Sequence, residues 1–161
     1  MAYVAGHTEI TDLDEFLASL DEIGRRHQCI VQAVDGRYVA GPHHLEQAVT
    51  YATEAINDGK GIADDPAIEI LLYIAGTRQI ERAIEIGVSE GRQQVVIVIT
   101  GEDEETALDE VKELLLDTMP LNPDADRLQT WFGITEAEQE ATHASLEQLV
   151  CERVVLLVLD R

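Results

Sequence analysis

Arg78 and Arg82 lie four residues apart. With Lys60 and Arg92 they place four of the chain's eleven basic residues between positions 60 and 92. Everything around them is acidic: 32 Asp and Glu oppose 11 Lys and Arg, for a formal net charge of −21. Residues four apart share one face of a helix, and a guanidinium offers a planar fork of donors that fits phosphate. The spacing therefore suits an anion-facing patch. It equally suits ion pairs from both arginines to Glu81, Glu85 and nearby acids, and both readings stand at this point. His43 and His44, followed by Glu46, are the other group that invites chemistry. Neighbouring helical residues point about 100° apart, so two adjacent imidazoles are poorly placed to share one ion. No metal site is expected. Carboxylate pairs occur throughout the chain and, at this composition, mark solvated surface.

The familiar catalytic patterns are missing. There is no GxGxxG and no GxxxxGK followed by Ser or Thr, and Gly59–Lys60–Gly61 is too short to cradle a phosphate. There is no HExxH and no GxSxG. Cys29 and Cys151 belong to no CxxC pair, and each adjoins an apolar run, so both are expected as buried free thiols. No catalytic residue, no cofactor and no enzymatic activity are expected.

The elements that must position the arginines follow from the apolar pattern. A length of 161 residues suits one domain spanning residues 1–161. An apolar share of 45% is ample for a folded core. Tyr3–Val4 begins a first short strand. Thr11 is predicted to cap a helix with Leu13, Phe16, Leu17 and Leu20 on its apolar face. Cys29–Val34 reads as a strand closed by Asp35–Gly36. Pro42 opens a second helix, with Leu45, Ala48, Val49, Ala52 and Ile56 inward, that ends at Asn57–Asp58–Gly59. Ala67–Ile74 reads as a strand broken by Gly76–Thr77. Thr77 then caps a short helix lined by Ile80, Ala83, Ile84 and Val88. Val95–Ile99, unbroken β-branched sequence, is predicted to be a strand covered on both faces. Glu102–Glu105 suits the positive end of the following helix, which turns Leu108, Val111, Leu114 and Leu115 inward. Pro120 and Pro123 bracket an irregular connection. Thr135 and Glu138 form a capping box for a last helix to about Leu149, and Val154–Leu159 reads as a final buried strand. These expectations add up to an α+β fold: a mixed β-sheet of about five strands covered by helices.

Composition also bears on setting. Only Lys60 and Lys112 are lysines, and this acid-rich, lysine-poor surface looks like adaptation to a high-salt cytoplasm. So large a charge repels the compact state, and at molar salt the Debye length of about 3 Å screens that repulsion. The longest strictly aliphatic run, Val154–Leu159, is too short to span a membrane. No basic region followed by an apolar stretch opens the sequence. A cytoplasmic protein without membrane contact is expected.

At Glu69–Ile86 the sequence reads EILLYIAGTRQIERAIEI. It resembles the EILLYxxGxRQIxxAIE signature of the smallest peripheral subunit of the KEOPS complex, the kinase-binding family whose human member is TPRKB. Val31–Asp35, Val39–Gly41 and His44–Leu45 look like that family's VQxxDAxxVAGxxHL stretch. Gly61–Ile62–Ala63 sits where the family usually has Asn-Ile-Ala. The likeness covers residues 27–101 well and is a likeness of layout elsewhere. Gly61, and Asp64–Asp65 where a basic residue is common, depart from the pattern.

The resemblance implies a subunit without catalysis of its own. Such a subunit binds the small KEOPS kinase/ATPase and, through it, meets the other KEOPS subunits. It recruits tRNA by the single-stranded 3′ CCA end, and the complex then places a threonylcarbamoyl group on the adenosine beside the anticodon. On this reading Gly76 permits close approach, and the amides after Thr77 face outward to hold phosphate. Arg78 stacks on a base or forks onto phosphate, and Gln79 reads a base edge. Tyr73 is either core or a stacking platform, and Ile80 is core. Arg37, Lys60 and Arg82 flank the site. Leu146 and Leu149 on the last helix are the expected kinase contacts. A kinase adaptor without RNA binding is the alternative, favoured by Asp64–Asp65. A small-molecule-binding α/β domain that uses the Gly76 turn for phosphate is a third.

Overall fold

The β-branched run Val95–Ile99 forms the centre of a three-stranded sheet and is wholly buried in the computed structural model, which describes residues 1–160. In chain order the elements are β1 (Ala2–Ile10), α1 (Leu13–His27), β2 (Cys29–Asp35), α2 (Pro42–Asn57), α3 (Pro66–Ala75), α4 (Ile80–Ile84), β3 (Gly91–Gly101), α5 (Glu104–Lys112), α6 (Ala125–Phe132), α7 (Glu136–Thr142) and α8 (Leu146–Leu159). They pack as two compact units. Of the described residues, one holds 1–36 and 87–121, the other 37–86 and 122–160.

The first unit contains the sheet. β3 lies between β1 and β2 and pairs antiparallel with both, from Ala2 opposite Ile99 to Ile10 opposite Gly91, and from Cys29 opposite Gly101 to Asp35 opposite Val95. Val95, Ile97 and Ile99 share one face of the strand. They pack with Phe16, Leu20 and Ile23 of α1 and with Ala107 and Val111 of α5. Residues 116–119 run along β1, where the Leu116 amide donates to the His7 carbonyl at 2.8 Å and the Met119 amide to the Ala5 carbonyl at 2.9 Å. That segment protects the strand's otherwise open edge. Both α-helices of this unit start on aspartates: Asp12 accepts from the Glu15 amide, one residue later than the expected Thr11 cap, and Asp103 accepts from the Thr106 amide.

The second unit is helical throughout its described elements. Here two predicted strands prove to be helices. Ala67–Ile74 belongs to α3, in which every residue from Glu69 to Ala75 is buried. Burial on all sides erases the helical period, and a short apolar run then reads as a strand. The start signal was nevertheless present: Asp65 accepts from the Ala67 amide at 2.8 Å, and Pro66 takes the first helical position. Val154–Leu159 is the second half of α8. Ser145 and Gln148 form a reciprocal capping box at its start, and the helix runs through Arg153 without a break. The predicted helix from Thr135 to Leu149 is two elements. Thr135 caps α7 by accepting from the Glu138 amide at 3.0 Å, and α7 stops at His143, which sits in the left-handed region with φ 55°. The sheet thus has three antiparallel strands, not a mixed set of about five. The stretch after Pro123, for which no element was predicted, contains α6.

Candidate functional site

The site begins where α3 ends. Gly76 follows α3 in the left-handed conformation, φ 67°. The Thr77 amide turns back to the Leu72 carbonyl at 3.1 Å and the Gly76 amide to the Tyr73 carbonyl at 3.3 Å, a Schellman ending. The next two carbonyls, Ile74 and Ala75, find side-chain donors. His44 Nε2 donates to the Ile74 carbonyl at 2.8 Å, and the Trp131 indole N–H donates to the Ala75 carbonyl at 2.9 Å. The four carbonyls that a helix end leaves open are thus all answered. A Cβ on residue 76 would stand 3.1 Å from Phe132 Cε1, so both the backbone angle and the ring favour glycine.

His44 is wholly buried on α2. Its Nδ1 accepts from the Ala40 amide at 3.0 Å, and the ring packs edge-on against Phe132. Burial pushes its pKa down to about 4, so it is the neutral tautomer with the proton on Nε2. Both its nitrogens are committed to backbone. Glu69 is a second buried polar group. Its carboxylate accepts from the Ile62 amide at 2.9 Å and the Ala63 amide at 2.8 Å, which fastens the loop before α3. The thiols stand apart from this arrangement. Cys29 and Cys151 are free and half-buried, not fully buried as expected, and burial pushes Cys151 up to about 11, so it stays protonated at neutral pH.

Beyond Gly76 lies a cleft of about 430 Å³ whose walls include Thr77, Arg78, Gln79, Arg82, Trp131 and Arg153. Thr77 Oγ1 accepts from the Gln79 amide at 3.2 Å. The helix therefore opens at Ile80 behind Gln79, not at Thr77, and α4 is only five residues long. This corrects the expected outward row of amides after Thr77. It also places Arg78 before the helix, so Arg78 and Arg82 both line the cleft without sharing one helical face. The Arg82 guanidinium lies over the Trp131 ring, 4.0 Å from its centroid, and donates to the Trp131 carbonyl at 3.4 Å. Tyr38 abuts the same indole edge-on at 5.5 Å between centroids. Arg153 is spent internally: it donates to Glu138 at 2.8 Å and to the Phe132 and Gly133 carbonyls. The pairing of Arg78 and Arg82 with Glu81 or Glu85 does not occur. Among the described residues, neither arginine forms an ion pair. The cleft can thus offer an anion two arginines that form no ion pair among the described residues, beside an aromatic ring and with the Asp160 carboxylate in the same lining.

Gly76, Thr77, Arg78, Gln79 and Arg82 all line this cleft. Tyr73 does not: it is fully buried inside α3, which closes its use as a stacking platform. Lys60 is exposed, Arg37 is half-buried, and neither is among the cleft's lining residues. Ile80, expected in the core, is 40% exposed, as is most of Ile84. Of the expected kinase contacts, Leu149 is buried in a cluster with Leu128, Phe132, Ile134 and Val150, and Leu146 packs half-buried against it. Leu156 and Leu159 are the exposed apolar residues of α8. The residues missed from sequence are Trp131, Phe132, Arg153 and Leu156. Two signals pointed to them: Trp131 is the chain's one tryptophan, and Arg153 interrupts an otherwise apolar run.

The family model of the kinase binding protein CGI-121 matches residues 7–157. No curated protein matches the chain.

Proposed function

The chain belongs to the CGI-121 kinase-binding family, and from that premise we propose that it is a non-catalytic KEOPS subunit that binds the small kinase/ATPase and recruits tRNA by its single-stranded 3′ CCA end. The observation that carries the tRNA part is the cleft after Gly76, where Arg78 and Arg82 form no ion pair among the described residues, in a chain of net charge −21. In such a chain a free cation meets carboxylates on every side, so leaving two unpaired in one cleft favours an external anion.

The charge balance also selects the mode of binding. Backbone affinity for nucleic acid arises from counterion release and falls steeply with salt, and an acidic surface weakens it further. Recognition then depends on close contacts: stacking, hydrogen bonds and a few arginines. An unpaired end supplies splayed bases and free hydroxyls for them, and stacking contributes roughly 1–3 kcal/mol per base. The kinase is expected to dock at the end of α8, where Leu159 is 71% exposed; Leu156, 53% exposed, lines the cleft.

The test is retention of tRNA at molar salt, with the CCA end intact and trimmed. Intact tRNA is expected to be held and trimmed tRNA released; equal retention removes the end-binding role. The adaptor reading without RNA has its own support in the exposed Asp64 and Asp65 near Lys60. Co-purification with the kinase, with no shift of intact tRNA, selects that reading.

A further inference from the structure

The first unit has a cavity of its own. It holds about 520 Å³ between the start of β1, the end of α5 and residues 118–121. β1 explains why it is there. The register with β3 runs unbroken from Ala2 to Ile10, so backbone groups alternate in direction along the strand. The Ala5 and His7 carbonyls accept from the Met119 and Leu116 amides, so odd-numbered residues turn their amides and carbonyls to the outer edge. Tyr3 is the next residue of that set. The antiparallel bridge between Ala5 and Met119 would continue with Leu121 opposite Tyr3. Pro120 intervenes and the pairing stops: among the described residues the outward amide and carbonyl of Tyr3 have no partner. The edge that residues 116–119 protect is therefore open for one rung.

The walls beside that rung are chemically specific. Leu108, Met119 and Leu121 are apolar and half-buried. Lys112 is the one charged residue of the lining, with Tyr3 and Thr118 as its polar company. It is exposed and forms no ion pair among the described residues. Asp109 and Glu113 lie close to it in sequence without pairing, and Asp117 is taken by His7, whose amide donates to Oδ1 at 2.8 Å. Each feature asks for one part of a ligand. An empty rung takes a backbone, which brings a donor and an acceptor together. The apolar walls take a side chain. Lys112 takes a carboxylate, by charge complementarity. Side chains on one face of a strand lie two residues apart, which sets the spacing between the last two groups.

We propose that the first unit binds an extended segment of a partner protein by strand addition at Tyr3, with an apolar side chain against Leu108, Met119 and Leu121 and an acidic residue two positions away on Lys112. This surface is independent of the RNA and kinase surfaces assigned to the second unit.

The experiment titrates the full chain with the peptide Thr-Glu-Thr-Leu-Thr-Glu-Thr, blocked at both ends, which offers an acid on either side of the leucine. The ε-methyl of Met119 reports from the cavity by NMR, and Met1 is the chain's only other methionine. Millimolar peptide is expected to shift the Met119 methyl. Serine in place of the leucine is expected to weaken binding about thirtyfold. Lysine in place of both glutamates is expected to weaken it about tenfold, and Lys112→Gln about threefold. Lys112 is exposed, so its replacement leaves the fold intact. The rung has its own readout. Two peptides N-methylated on alternate residues are expected to differ, one losing binding and the other keeping it, because only one set of amides faces Tyr3. The proposal falls if millimolar peptide leaves the Met119 methyl unmoved, if the two N-methylated peptides bind alike, or if Lys112→Gln and the charge-reversed peptide both bind like the parent. Tighter binding of octanoate than of the peptide would assign the cavity to a small acid and overturn strand addition.

Discussion

The C-terminal ends of α1 and α3 solve one problem in opposite ways. Each helix stops at a left-handed residue, Gln28 with φ 51° and Gly76 with φ 67°. The last turn of α1 carries Arg25, Arg26 and His27, which suit the negative end of the helix. Those side chains are then taken up by acids. Arg25 pairs with Asp21 and Glu22, Arg26 reaches Glu110 at 3.0 Å, and His27 Nε2 lies 2.8 Å from Glu110. The last turn of α3 has no basic residue. Its carbonyls are answered by neutral donors, the imidazole of His44 and the indole of Trp131. The cations that follow, Arg78 and Arg82, are consequently not needed to finish the helix. The contrast teaches that in so acidic a chain a free cation must be released from structural duty by some other group.

The largest expected effect tests that neutral wiring. His44 is held near pKa 4 by burial, against an ordinary 6.5. As pH falls below 6.5 the unfolded chain takes up this proton and the native chain does not, so the unfolded state binds more protons and stability falls. The contribution is full above pH 6.5 and disappears as pH drops toward 4, a total of roughly 3 kcal/mol. Urea unfolding at steps of pH across this window is expected to show the loss. His44→Gln, which retains an amide donor for Ile74, is expected to remove that component of the slope. Parallel slopes in the two proteins would mean that the α3 end does not depend on a neutral imidazole.

The second test sets the two ends directly against each other. Arg78→Glu is expected to weaken intact tRNA on the order of a hundredfold, since it removes a charge-assisted contact and installs a repulsive one. Arg25→Glu reverses the same charge at a position already compensated by Asp21 and Glu22. It is expected to leave tRNA binding within about twofold, because exposed ion pairs contribute little and act locally. Equal losses in filter retention would show that tRNA senses net charge and not this cleft.

How much of this was legible in the sequence differs between the two units for a physical reason. In the first, one side of each helix faces a core, so period and cap signals agree: α1, β2, β3 and α5 were each read as the right type, β2 to within one residue, while β3 extends four residues before Val95 and α1 runs seven residues past Leu20. β1 was shortened because His7, Thr8 and Glu9 read as polar, although Thr8 is buried and its hydroxyl donates to the Leu114 carbonyl. In the second unit, α3 is buried all round and α8 exposes Leu156 and Leu159. Neither presents a clear helical period, and Ala67–Ile74 of α3 and Val154–Leu159 of α8 passed for strands. The motif from Gly76 to Gln79 marked one wall of the cleft. Trp131 and Arg153 come from segments more than 50 residues later, and no local spacing links them to it.

The smallest expected effect compares the two left-handed positions themselves. At Gly76, alanine must adopt φ near 67° and place its Cβ 3.1 Å from Phe132. A side chain in the left-handed region costs about 1 kcal/mol or more, and the close approach adds to it, so Gly76→Ala is expected to lose about 1–2 kcal/mol in urea unfolding. At Gln28 the strain is already present. Gln28→Gly removes it at φ 51°, while glycine's greater freedom in the unfolded chain returns part of the gain. A net stabilisation of up to about 1 kcal/mol follows. The two signs must be opposite if the ends differ only in which residue carries the turn. A loss at both positions would mean that the Gln28 side chain contributes to the α1 end, and that this end is less purely electrostatic than its ion pairs suggest.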